Sequence, residues 1–454
     1  MSKQRLVLII SILASFVAFL DGSVVNVALP AIARNLGGGL SVQQWVVDAY
    51  LLTLGSLILI AGSLSDLFGR KRVLEIGLIL FGIASLLCAA APSNEFLILS
   101  RGIQGIGGAL LVPSSLALII STFKGAAQGK AIGTWTAWTG ISFIIGPLVG
   151  GFLVDTVSWR AIFAINILPI AITLWLMKNL DHVEMLEEDI KIDFWGAIMC
   201  TAGLFGSVYA LIEQPEYGWS SPLIYIPLIG GLLLLIGFVW LENRIKQPML
   251  SLSLFKIRNF SAGNLATISI YGGLSIATFL IIIAVQQLGH YSALYAGLSL
   301  LPVTIIMFFL SPRFGALAGK YGPRFFMTVG PIVAGIGFIL LLRINASVDY
   351  WTQVLPGILV FGLGLATTVA PLTSAVLGDI PPEHAGIGSA INNAVSRIAG
   401  LVAIASIGLV VGKQLTIAGL HKGIISMAIL LLIGGFISFI GIQNTKSKAE
   451  NLRH

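Results

Sequence analysis

Fourteen apolar runs, each about as long as a bilayer is thick, recur along this 454-residue chain. A hydrocarbon core of about 30 Å needs about 20 apolar residues in a helix that rises 1.5 Å per residue. The runs lie at 7–33, 43–64, 73–92, 96–121, 131–154, 160–177, 194–212, 222–241, 260–286, 292–314, 326–343, 352–377, 386–411 and 423–442. Only 10% of the residues are charged and 57% are hydrophobic, whereas soluble domains carry about 25% charge. In lipid every backbone N–H and C=O must find its partner within the segment or a closed barrel. The expected fold is therefore an all-α integral membrane protein with 14 transmembrane helices.

Charge placement gives the topology. With the N-terminus inside, 19 of the 26 Lys and Arg fall in inside loops and tails, five fall outside, and Arg101 and Arg397 lie within helices. Inside enrichment of cations sets orientation, so both termini are expected in the cytoplasm and the chain in the plasma membrane. The net charge of +7 needs no nucleic-acid partner. The inside loop "GDIPPEHAG" departs from the pattern, with acids and neither Lys nor Arg.

The longest polar stretch, "KNLDHVEMLEEDIKID" at 178–193, closes a first block of six runs. The expected division is 1–177, a six-helix bundle; 178–242, a linker with two additional helices; and 243–454, a second six-helix bundle with a short tail. The bundles resemble each other. "GSLSDLFGRKR" (62–72) matches "GALAGKYGPRF" (315–325), and "GIGGALLVPSS" (105–115) matches "GLGLATTVAPLTS" (362–374) with a one-residue slip. Repeated halves around a central site are a common build for secondary transporters.

Several other classes drop out. Lys3 and Arg5 before an apolar stretch imitate a secretory signal, but the run is too long, contains Asp21 and is followed by equivalent segments. Cys88 and Cys200 are far apart in apolar runs, and no metal spacing occurs. The glycines at 102, 105, 107 and 108 follow no strand, and "GAAQGK" (125–130) lacks the spacing of a phosphate loop. No cofactor, ATPase motor or catalytic set is expected.

The chemistry is concentrated in a few polar residues. Asp21 lies roughly 22 Å along the first helix, Asp48 roughly 9 Å below the outer surface and Arg101 roughly 8 Å below it. All three fall at a similar level in the outer half. Burial favours a neutral acid and a guanidinium favours its carboxylate, so a group held between them can load and release protons as Arg101 moves. A structural ion pair that never titrates is the plainer alternative; intramembrane acids are usually functional. Arg397, roughly 17 Å in from the cytoplasm, keeps open a substrate of negative or mixed charge. Asn26, Trp45, Gln104, Trp138, Asn392 and Arg397 are candidates for a substrate cavity, with packing or interface anchoring as the alternative for the aromatic ones. Gly69 allows a tight reversal, and Asp66 can sit against a helix N-terminus or pair with Arg70, while the Lys and Arg of this loop also simply hold it inside. Gly146 and Pro147 with Gly150 and Gly151 suit a kink and close helix packing.

Four of these stretches resemble motifs of the major facilitator superfamily, in the family's order. "GSLSDLFGRKR" is similar to its loop signature between the second and third helices, and "SRGIQGIGGA" (100–109) to its fourth-helix motif. "GISFIIGPLVGG" (140–151) resembles the fifth-helix motif of proton-driven exporters. "LDGSVVNVALP" (20–30) resembles the first-helix motif of the fourteen-helix drug:proton antiporters, with Ser23 where the family more often has Thr. The resemblance implies proton translocation by Asp21 and Arg101, a conformational latch formed by Asp66, Gly69, Arg70 and Arg72, and export linked to Gly146, Pro147, Gly150 and Gly151. It implies an antiporter, and the expected partners are the bilayer, protons and a drug-like amphipathic molecule, with the chain expected to act as a monomer. An exporter of one metabolite, or a non-transporting membrane sensor, are the alternatives.

Overall fold

The computed structural model describes residues 2–180, 192–381 and 384–444. The acidic centre of the 178–193 stretch and the basic tail residues Lys446, Lys448 and Arg453 lie outside them. No strand occurs among the described residues. The helices are α1 (Lys3–Leu36), α2 (Leu40–Phe68), α3 (Arg70–Ala90), α4 (Asn94–Thr122), α5 (Gly125–Thr156), α6 (Ala161–Ala164), α7 (Ile167–Met177), α8 (Phe194–Tyr217), α9 (Pro222–Glu242), α10 (Arg258–Gln287), α11 (Ala293–Ser299), α12 (Leu301–Tyr321), α13 (Pro323–Leu340), α14 (Leu355–Gly378), α15 (Ala385–Val411) and α16 (Ile417–Gly441).

Thirteen described segments are long and apolar enough to cross a membrane; α11 and α12 form one of them, Ala293–Tyr321. The sixth expected run is the shorter segment Ala161–Met177, which is interrupted at Ile165 and Asn166 to give α6 and α7. The chain is a multi-pass membrane protein.

The described residues fall into two compact units. One takes in Met1–Leu250, Thr278–Leu298 and Ile404–Thr416, the other Ser251–Ala277, Ser299–Ala403 and Ile417–His454. In the first, Leu6, Val7, Ile10, Ala14 and Val17 of α1 pack with Tyr50 and Leu54 of α2, Leu74, Leu78 and Phe81 of α3, and Leu111 of α4. Apolar surface alone does not choose a partner in lipid; small residues and polar contacts do. A Cβ on Gly107 of α4 would stand 2.8 Å from the Phe81 nitrogen of α3. In the second unit, a Cβ on Gly330 of α13 would stand 2.9 Å from the Gly364 oxygen of α14.

Each unit also reverses its chain at a glycine that a side chain would strain. Gly69 joins α2 to α3 at φ 90° and ψ 131°, and Gly322 joins α12 to α13 at φ 87° and ψ 153°. These are the matching glycines of the repeated "GSLSDLFGRKR" and "GALAGKYGPRF" stretches.

Candidate functional site: a buried ion pair braced by amides

The first-helix acid is fully buried at 0% exposure, and Arg101 of α4 is 1% exposed. Arg101 Nη1 meets Asp21 Oδ2 at 2.5 Å. The same Nη1 donates to Gln104 Oε1 at 2.6 Å, and Arg101 Nε donates to the Val46 carbonyl of α2 at 2.9 Å. The guanidinium lies 4.4 Å above the Tyr50 ring, and that phenol donates to the Ala18 carbonyl, one turn before Asp21.

The other carboxylate oxygen, Asp21 Oδ1, accepts from two amides: Gln104 Nε2 at 2.8 Å and Asn166 Nδ2 at 2.9 Å. Both amides also donate to Ser85 Oγ of α3, at 2.9 Å and 3.4 Å. Cys88 Sγ reaches Gln104 Oε1 at 3.7 Å.

The local sequence explains this convergence. Arg101 and Gln104 are three apart, as are Ser85 and Cys88, so each pair shares one helix face. Gly105 has no room for a Cβ: one would strike Thr53 Oγ1 and the Tyr50 carbonyl. Thr53 Oγ1 donates instead to the Gly102 carbonyl at 2.7 Å. The glycine-rich face thus lets α2 approach α4 closely enough to place the Val46 carbonyl on Arg101. Asn166 reaches the site from the break between α6 and α7.

Asp48 differs from its neighbours. It is 0% exposed, and neither carboxylate oxygen makes a hydrogen bond. The structure brings Asp21 and Arg101 together and adds Gln104, but leaves Asp48 unpaired on α2.

The motif residues have definite places. Asp66 Oδ1 and Arg70 Nη2 are 3.2 Å apart on the partly exposed reversal at Gly69, and Arg72 is exposed. Lys71 between them is buried and donates to the Leu180 carbonyl at 2.5 Å. On α5, a Cβ on Gly146 would strike Ser23 and one on Gly150 would strike Val24, both on α1. Gly151 and Pro147 approach Leu294 and Gly297 of α11 within the same unit. Ser23 Oγ donates to the Ser142 carbonyl at 3.1 Å. The first-helix and fifth-helix motifs are therefore two sides of one contact.

The cavity candidates separate. Trp45 Nε1 donates to Glu213 Oε1 of α8 at 2.7 Å, and its ring packs with Phe205 and Tyr209. Trp138 on α5 is 52% exposed. Asn26 donates to the Gly22 carbonyl on its own helix. In the second unit Asn392 donates to Asn264 Oδ1 at 3.0 Å and to Thr267 Oγ1 at 2.9 Å, with half-buried Arg397 farther along the same helix. Sequence reading missed Ser85, Asn166 and Lys71. A lone amide within the apolar run 160–177 was the available signal for Asn166, of the same kind that singled out Asp21. Among the described residues no group of three His, Cys, Asp or Glu is placed to hold a metal.

The Major Facilitator Superfamily model matches residues 11–192 and 192–404. The multidrug resistance protein Stp of Mycobacterium tuberculosis is 35% identical over 91% of this chain and 77% of its own. The methylenomycin A resistance protein of Bacillus subtilis is 33% identical over 90% and 88%. Among solved structures, a POT peptide transporter in complex with sulfate superposes with TM-score 0.70 over 96% of this chain and 97% of its own at 15% identity. A D-xylose-proton symporter superposes with TM-score 0.69 over 98% and 99% at 16% identity. These two neighbours share the fold alone. Matched along both of its halves by the family model, the chain belongs to the major facilitator superfamily and is a transporter rather than an enzyme.

Proposed function

We propose that this protein is a proton-coupled antiporter that exports drug-like amphipathic small molecules by alternating access. The observation that carries the reading is the Asp21–Arg101 pair, an acid and a base fully buried on two helices of one unit. A charge inside a membrane is costly and usually belongs to an ion path. A guanidinium close to an acid favours its carboxylate form. A shift of α4 that draws Arg101 away leaves burial to dominate, and the acid takes a proton. Return of Arg101 expels it. A proton crossing about 100 mV releases about 2.3 kcal/mol, enough for a roughly 50-fold substrate gradient.

Asp48, buried without a partner, is the second candidate proton carrier. The Asp66–Arg70 pair with Gly69 and Arg72 serves as a latch for one conformational state. Gly146 and Gly150 let α5 hold α1 closely while it moves, and Pro147 and Gly151 let it approach α11. Asn392 and Arg397 contribute to substrate selection. The domain plan is 1–177, 178–242 and 243–454, the protein acts as a monomer in the plasma membrane, and both termini are cytoplasmic.

Relatives named for multidrug resistance and multidrug transport support a broad substrate range. The relatives named for puromycin and methylenomycin A favour a second reading, export of one compound on the same fold. Everted vesicles test the coupling: adding substrates from a drug panel should move protons, and Asp21→Asn should abolish that movement. Proton movement unchanged by Asp21→Asn overturns antiport at this site. A single saturable compound in the panel selects the second reading.

A further inference from the structure

The carboxylate of Asp21 is surrounded by donors. Arg101 Nη1 occupies Oδ2, and Gln104 Nε2 and Asn166 Nδ2 occupy Oδ1. That arrangement suits the charged form. A protonated Asp21 becomes a donor itself and needs an acceptor. Gln104 Oε1 is engaged by Arg101, and Ser85 Oγ already accepts from both amides. Asn166 Oδ1 is buried without a hydrogen-bond partner, on a side chain of 0% exposure. The terminal torsion of Asn is broad and roughly two-fold, so half a turn exchanges its nitrogen and oxygen.

We infer that Asn166 is a positioning residue that follows the protonation state of Asp21, donating Nδ2 to the carboxylate and turning its free Oδ1 to accept the acid proton. The inference rests on Asp21 being the proton carrier. In the step, once α4 has drawn Arg101 away, a hydronium ion gives its proton to Asp21 Oδ1 and leaves as water, the amide turns, and the new O–H donates to Asn166 Oδ1 in place of the lost N–H bond. The break between α6 and α7 at residues 165 and 166 sets the amide at this depth. The titratable or charged groups near Asp21 are Arg101 on α4, Cys88 on α3 and Tyr50 on α2. Asp48 lies on α2, two residues past the carbonyl that Arg101 holds.

The test needs no substrate. Infrared difference titration of the full chain in proteoliposomes follows the carboxylic-acid carbonyl band, assigned to Asp21 by its loss in Asp21→Asn. Asn166→Leu removes both bonds. The bond to the charged form is the stronger one, so the titration midpoint should rise by about one pH unit, a roughly tenfold change in proton binding. The acid band should also move to higher wavenumber as its O–H loses an acceptor. Asn166→Ser, which can both donate and accept, should restore both readings. If the Leu variant does not fold, Asn166→Ala gives the same two readings. An Asp21 band that titrates with unchanged midpoint and position in Asn166→Leu or Asn166→Ala overturns the role of Asn166. A protein in which Asp21→Asn removes no titrating band instead overturns Asp21 as the carrier.

Discussion

The reversal after α2 and the reversal after α12 are nearly the same piece of backbone, but they carry different chemistry. Gly69 and Gly322 share φ values of 90° and 87°. Around them the residues diverge: Asp66, Arg70 and Arg72 stand where the second copy has Gly319, Pro323 and Phe325. The interiors differ in the same way. The first unit buries a charged pair, Asp21 with Arg101, where the second buries the neutral Asn264 and Thr267 beneath a half-buried Asn392. Repetition has kept what backbone sterics require, namely a glycine at positive φ and small residues where helices touch. Of the charges at the reversal it has kept only one, Lys71 with Arg324. The scaffold is twofold, and the proposed proton chemistry belongs to one copy.

The largest test of this asymmetry is coupling itself. Asp21→Asn should abolish substrate-driven proton movement in everted vesicles, while Asn392→Ala should leave protons coupled and alter only which compounds move. Loss of coupling in both would make the second unit part of the proton path.

Stability gives the next contrast. Arg101→Met leaves Asp21 with amide donors and no counter-charge. Removing one partner of a buried pair costs about 3–5 kcal/mol, against about 1 kcal/mol for each neutral hydrogen bond lost in Asn392→Ala. Thermal unfolding in detergent should rank them in that order.

The reversals should behave alike. Gly69→Ala and Gly322→Ala each force a side chain into a region nearly reserved for glycine, at about 1–3 kcal/mol. A cost at one glycine only would show that the two turns are not equivalent supports. The smallest effect is expected at the surface. Asp66→Asn breaks a partly exposed ion pair worth about 0.5 kcal/mol, so the melting temperature should barely move. A latch would instead show as a changed ratio of inward- to outward-accessible cysteine labelling.

Much of this was legible before the structure. Asp21 and Arg101 announced themselves as charges in apolar runs, and run length gave thirteen of the expected fourteen spans, the sixth being the shorter, interrupted segment Ala161–Met177. Depth along a helix placed Asp21, Asp48 and Arg101 at one level, yet Asp48 forms no bond with the pair. Rise per residue supplies a height; the direction in which a side chain points depends on how the helix is rotated against its neighbours. Asn166 was passed over because an amide carries no charge to mark it. Lys71 read as one more inside cation, and only the fold brings the Leu180 carbonyl to it.

By itself the amino-acid sequence determined a helical membrane protein with repeated halves and an acid and a base within its spans, because the bilayer tolerates few other ways to arrange such runs. Only the tertiary structure decided which polar groups meet. That choice depends on helix rotation and close approach, set by a few glycines and by a break at Asn166, and a one-dimensional pattern does not carry it.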